Sequence, residues 1–427
     1  MSSVLKLNTI SFSNNGKRVD YDYTASKHVQ KYLNQKEAYY IKYGMDVSAV
    51  PYSILTIPFI SNMLPIAWFG GFDIEVPEVD EDFYNAMKLV KEAFAKQFSG
   101  YELTGNLITQ KLVKNKIKGE NTAMLFSGGV DAYATYIRIY DKTPDLVTIL
   151  GADIEIEDES QWNSFTNFIE NETLLAKNKK QYIETNVRSF YTYQVELLLK
   201  DIGWWGKVQH GLSLIGSLAP LSYIKSYTHI FIASSYTEAI DIAWGSTPKI
   251  DENISWAGIK VHHDGYELKR QDKVDLITKF AAKNNTDFKL RVCYSELRNS
   301  FNCSHCEKCY RTILGIILNG KNPNDYGFNV DKNIYKDIFE VLNIGGASKG
   351  MQYFWWELME KAKTSKSVFV FENEAQEKIK LDRIRNGEIH QLLERKINNP
   401  NKFSDKIKFI ARNKFSGVYK LLKKYRH

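Results

Sequence analysis

Five residues, Ser127-Gly128-Gly129-Val130-Asp131, separate an apolar run, TAMLF, from a helix-prone one, AYATYIRIY. A strand that ends in two adjacent glycines and restarts as a helix leaves the chain few choices. Glycine accepts positive φ and lets a backbone pass close to another group. The amides exposed there, backed by the positive end of the following helix, form an anion cradle. Ser127 can add a hydroxyl donor, and Asp131 stands where it can cap the helix or help hold Mg²⁺ on a pyrophosphate. A tight turn that simply needs glycine is the plainer alternative. The full Ser-Gly-Gly-x-Asp pattern between a strand and a helix favours nucleotide binding. No Gly-Lys-Ser/Thr follows, and the Rossmann glycine spacing is missing, so neither of those phosphate loops is meant.

The flanking pattern sets the fold class. It predicts strands at Thr122–Phe126, Leu146–Leu150, Gln181–Val187, His229–Ala233 and Phe288–Val292, with helices at about 132–140, 161–177, 211–226 and 269–282. Alternation of this kind implies βαβ units and a parallel sheet, an α/β core over residues 116–324. Ligands of such sheets sit beyond the carboxyl ends of the strands. Residues 1–115 read as an α+β N-terminal domain that covers or extends this core. Their hairpin, KLNTISFS and RVDYDYTAS, flanks Asn14-Asn15-Gly16-Lys17. A helix follows Glu78–Asp82, with Phe83, Met87, Val90, Ala93 and Phe94 on one face. Residues 325–400 read as helical, from FWWELMEKAK, ENEAQEKIKLDRIR and EIHQLLERK.

All four cysteines lie between positions 293 and 309, as Cys293, Cys303, Cys306 and Cys309. A disulfide framework would be spread along the chain, so the clustering points to metal. Two short x2 turns bring three sulfurs together, and Cys293 can close a tetrahedron around structural Zn²⁺. Four buried free thiols, or an iron–sulfur cluster on the same ligands, are the alternatives. His305 reads as a surface residue inside the knuckle.

SGGVD resembles the SGGxDS signature of the PP-loop, or N-type ATP pyrophosphatase, enzymes. With the cysteine spacing C-x9-C-x2-C-x2-C some 160 residues later, residues 121–320 resemble the QueC family, the 7-cyano-7-deazaguanine synthases. The resemblance implies a PP-loop, adenine nucleotide alpha hydrolase-like core and cleavage of ATP to AMP and pyrophosphate. ATP and Mg²⁺ would sit on Ser127, Gly128, Gly129, Val130 and Asp131. AIDIAWGSTPKID resembles the family's substrate segment, which gives Asp241, Gly245 and Asp251 as substrate residues. ELKRQDKVDLI resembles its lysine-bearing helix start, which gives Lys273, with Asp131, as a catalytic residue; a solvated helix lysine is the alternative. HGLSLIGSLAPLSY keeps Gly211 of a further motif and has Leu212 where the family has Arg.

The implied activity is an ATP-dependent ligase that adenylates a carboxylate, such as a 7-deazaguanine-type acid, and forms an amide or nitrile with ammonia or another amine. QueC-like proteins with added domains also occur among bacterial defence proteins. Zinc on all four cysteines leaves no thiol for sulfur transfer, and Ser2 stands where an N-terminal glutaminase would need cysteine. Ala132, in the family's second Ser position, and Leu212 leave open a catalytically decayed, nucleotide-binding regulatory subunit. His262-His263-Asp264 reads as a loop beside the site, and the tyrosine-rich 182–193 stretch could stack a base or fill the core.

The chain's net charge of +7 is placed in its tail: residues 401–427 carry nine Lys/Arg and one acidic residue, interleaved with apolar side chains. That basic amphipathic tail packs on its own chain or meets an acidic protein, a membrane surface or nucleic acid. The last case would make this a PP-loop nucleic-acid-modifying enzyme. No apolar run approaches the roughly 20 residues that span a bilayer, and no signal-peptide pattern opens the chain, so the cytoplasm is the expected location.

Overall fold

The computed structural model describes residues 3–293, 301–344, 348–365, 374–394 and 409–410. At the N-terminus, Asn14, Asn15 and Gly16 all take positive φ. They turn β1 (Val4–Ser13) into β2 (Arg18–Ala25) as an antiparallel hairpin. Then come β3 (Tyr40–Tyr43), β4 (Asp73–Asp80) and β5 (Leu107–Val113). The α/β alternation supplies β6 (Asn121–Leu125), β7 (Asp145–Leu150), β8 (Lys180–Thr185), β9 (Tyr227–Ala233) and β10 (Lys260–Asp264). All ten form one sheet in the order β10-β9-β6-β7-β8-β3-β2-β1-β4-β5. β6 to β10 are mutually parallel. The seam is the antiparallel pair β3–β8, with Ile41 opposite Thr185. Residues 1–115 therefore continue the sheet of the α/β core.

Three elements differ from the sequence expectation. Residues 288–292 form no strand: Leu290 N–H donates to Tyr326 O and Arg291 N–H to Gly128 O, both outside the sheet. The sheet edge belongs to β10, so His262, His263 and Asp264 lie in a strand beside β9 and not in a loop. The helix expected at 211–226 is broken into His210–Gly216 and Ala219–Lys225.

Against the expectation that no run is long enough, one helix, Tyr52–Gly70, is long and apolar enough to cross a membrane, and 89% of its most apolar window is buried. It holds Pro58 and Pro65 inside, each a cost of about 3 kcal/mol in a free helix. Packing and a buried polar hub offset this. Asn62 donates to Tyr39 Oη (3.0 Å) and Pro58 O (2.8 Å), and its Oδ1 accepts from Gln209 Nε2 (2.9 Å) and Ser213 Oγ (2.8 Å). The hub ties this helix to the segment preceding and including His210–Gly216.

The C-terminal region is helical, with Ile334–Ile344, Lys349–Thr364, Glu374–Arg385 and Glu388–Glu394. The 401–427 tail lies outside the described residues except for Phe409 and Ile410.

Candidate functional site

β6 sits between β9 and β7, and the chain order reverses there, since β7 and β8 extend one way and β9 and β10 the other. Open α/β sheets bind ligands at such a switch point. The chain leaves β6 through Phe126, whose N–H donates to Val147 O (2.8 Å) and whose carbonyl accepts from the Thr148 hydroxyl (2.7 Å). Gly128 then turns at φ +72°. That φ favours glycine, and a Cβ there would also sit tightly, 3.2 Å from Phe165 and 3.4 Å from the Arg291 Cβ. The helix Val130–Arg138 follows at once. Ser127, Gly129, Val130, Asp131 and Ala132 form one wall of a cavity of about 490 Å³, within the usual range for a small-molecule site.

Asp131 is the most constrained charge in this wall. Its Oδ2 meets Arg270 Nη1 at 3.0 Å and its Oδ1 meets Lys273 Nζ at 3.1 Å. Burial alone would raise its pKa, but the Lys273 ammonium and the Arg270 guanidinium outweigh that and hold it down at about 2. Lys273 is 2% exposed and also donates to Ser234 O. It stands behind Asp131 and is not part of the cavity wall, so it braces the carboxylate and does not face the cavity. Arg270, Arg291 and Lys308 do line the cavity.

The other end of the cavity is aromatic. Trp205 and Trp244 each pack on His210 at 5.6 Å between ring centroids, and the Arg188 guanidinium lies 5.2 Å over Trp205. Burial pushes His210 below its ordinary pKa, and its Nδ1 has no hydrogen-bond partner. It is a neutral imidazole at neutral pH. Planar groups fit such a cleft by stacking, and Arg188 supplies charge.

The residues expected to hold the substrate lie outside the wall. Asp241 is exposed, and its carbonyl accepts from Lys349. Gly245 packs backbone to backbone, since a Cβ on it would come within 2.7 Å of the Val208 carbonyl carbon. Its neighbour Trp244 reaches the cavity instead. Asp251 is fully buried and accepts from Ser246 (2.6 Å) and His263 (2.7 Å). Close packing explains Gly211, whose Cβ would fall 2.1 Å from Asp251 Oδ1. His262 pairs with His229 at 2.8 Å. Tyr182 and Tyr191 pack on Trp162 and Phe190.

The four cysteines converge. Their sulfurs lie within 4.8 Å of one another, with approaches of 3.5 Å (Cys306–Cys309), 3.8 Å (Cys303–Cys309) and 4.0 Å (Cys293–Cys306). Tetrahedral zinc with sulfur at ~2.3 Å has S···S edges of about 3.8 Å, so this cluster could hold a zinc ion. Burial pushes the Cys303 thiol up to about 11, and contact with Cys293 and Cys306 raises Cys309 further. Such sulfurs are poorly ionised until a cation replaces the proton. His305 is exposed and takes no place in the cluster.

No family model, curated protein or solved structure matches this chain. The site is therefore read from its own geometry. Arg188, His210, Arg270, Arg291 and Lys308 carry no motif of their own in the sequence. Adjacency is the signal that could have found three of them: Arg270 lies within ELKRQDKVDLI, Arg291 two residues before Cys293, and Lys308 between Cys306 and Cys309. Arg188 lies within the tyrosine-rich 182–193 stretch and His210 opens HGLSLIGSLAPLSY, but nothing in either segment singles out these two side chains.

Proposed function

We propose that this chain is an ATP-dependent ligase of the PP-loop type, resembling the QueC family, which adenylates a carboxylate and passes the acyl group to ammonia or another amine. The observation that carries the reading is the Ser127–Asp131 turn at the carboxyl end of a central strand, opening on a cavity of nucleotide size. The triphosphate belongs against Ser127 and the amides that start the helix, where exposed N–H groups favour anions. Mg²⁺ would neutralise phosphate charge, and Asp131 would be its carboxylate ligand in exchange for one of the cations, Arg270 or Lys273, that now engage it.

A carboxylate oxygen of the substrate attacks the α phosphorus, the α–β anhydride bond breaks, and pyrophosphate leaves with the electron pair. Arg270, Arg291 and Lys308 offset the charge that develops on the phosphates. The amine then attacks the acyl carbon and AMP departs. Trp205 and Trp244 orient a planar reactant, and His210, neutral, can accept the amine's proton. The product is an amide, or a nitrile if a second activation follows.

Pyrophosphate release from ATP by the purified chain tests this. Ser127→Ala should reduce it by roughly tenfold or more, for loss of one charge-assisted donor, with the thermal midpoint unchanged. Formation of ADP and orthophosphate would overturn the α–β cleavage. A second reading, a nucleotide-binding regulatory subunit, is favoured by the closure of Asp131 between two cations and by Ala132 in the family's Ser position. Nucleotide binding without turnover would decide for it.

A further inference from the structure

The four-cysteine cluster is not remote from the cavity. Cys293 is one of the cavity-lining residues, and the stretch leading into it lies directly on the phosphate loop. Arg291 N–H donates to Gly128 O at 2.7 Å. A side chain on Gly129 would meet Arg291 O at 3.5 Å, and one on Gly128 would meet the Arg291 Cβ at 3.4 Å. The Arg291 guanidinium is anchored from both sides, with Nη2 donating to Gln161 at 3.1 Å and its carbon 4.9 Å over the Phe165 ring. From the other arm of the knuckle, Lys308 sits in the first turn of the helix Glu307–Ile317, between two sulfur ligands. It also lines the cavity, and its charge helps keep Asp131 ionised.

We propose that the metal knuckle is the second wall of the nucleotide site, and that Arg291 and Lys308 bind the terminal phosphates of a nucleoside triphosphate beside the Ser127–Asp131 loop. This rests on the nucleotide reading above. A bound metal fixes Cys293, Cys306 and Cys309, and so sets where both cations stand. The site would thereby hold a triphosphate more tightly than a monophosphate, because only the longer chain engages the loop and both knuckle cations together.

The test is equilibrium binding of ATP, AMP and inorganic tripolyphosphate to the zinc-loaded full chain, with zinc content and melting temperature recorded for every variant. Arg291→Gln and Lys308→Gln should each weaken ATP and tripolyphosphate by roughly ten- to hundredfold, the range for losing a charged phosphate contact. AMP affinity and zinc content should not change. Arg291→Lys should restore part of the loss. If the wild type binds ATP and both variants bind it equally well, the proposal is overturned while the nucleotide reading stands. If the wild type takes tripolyphosphate through these two cations but no nucleotide, the anion wall stands and the nucleotide reading falls. Binding of neither probe overturns both.

Discussion

At neutral pH the Asp131 carboxylate faces two cations, Arg270 and Lys273, which are 8% and 2% exposed. Removing its charge leaves both without that partner in a place where water reaches poorly. Its pKa is lowered from 3.8 to about 2 in the fold. Its stabilising contribution is therefore complete above about pH 4 and is lost as pH falls through 2. The shift corresponds to on the order of 2 kcal/mol. Asp131→Asn should be less stable to urea than the wild type at pH 7 by a free energy of that order, and the gap should close as the titrations are run towards pH 2. A constant gap across pH would mean that the amide's shape, and not the lost charge, is responsible. The same residue shows what a sequence can disclose at this scale. Ser127 to Asp131 was legible because five consecutive residues carry the whole pattern. Arg188 and His210 were not, because each reaches the cavity from a segment far along the chain from that loop, and no local spacing links them to it.

Secondary elements were legible where the chain's own periodicity decides them. Four of the five expected core strands and the helices after β6, after β7 and after β10 lie close to their expected bounds. Residues 288–292 were not, because an apolar stretch that is pinned by carbonyls outside the sheet looks in sequence like one paired with a strand. The cysteine knuckle was legible for the same reason as the phosphate loop, since its ligands are close in sequence. Cys306→Ser should reduce zinc from about one per chain to well below that and should lower solubility, because a structural site contributes directly to folding; stoichiometric iron, or a stable metal-free fold, would refute it. The helix Arg270–Asn284 packs both on the helix that follows the phosphate loop and on the knuckle helix. The C-terminal helix Lys349–Thr364 supports its first turn through Glu357, which accepts from Gln271 N–H at 3.0 Å. Burial raises the Glu357 carboxyl from 4.5 to about 7. Stability should therefore fall as pH rises from about 4.5 to 7, because the folded state keeps a proton that the unfolded chain releases. Glu357→Gln should melt above the wild type at pH 8 and lose that advantage towards pH 4. An advantage that persists at pH 4 would mean that packing, not ionisation, sets the difference.

The ten-stranded sheet is the feature of the whole molecule that local patterns concealed. Pairing of Ile41 with Thr185 joins strands more than a hundred residues apart, and no periodicity within either strand announces it. The buried helix Tyr52–Gly70 makes the same connection through Asn62, which accepts from both Gln209 and Ser213. Both donors lie close to His210, so this hub links residues 1–115 to the aromatic end of the cavity. Asn62→Leu should therefore act at two levels. Burying two donors without their shared acceptor costs about 1–3 kcal/mol each, which should appear as a lower melting temperature. A tilt of the segment that carries Trp205 and His210 should change the quenching of tryptophan fluorescence by added ATP before the protein unfolds. Residues 116–427 alone should fail to give a monodisperse species in size-exclusion chromatography, since β8 loses its neighbour β3 and the Gln209–Ser213 face loses its cover. Exposed strand edges and uncovered apolar faces both promote association. A monomeric 116–427 fragment that keeps its zinc would show instead that the sheet seam is an interface between two separately folding units, and that Asn62 serves docking and not folding.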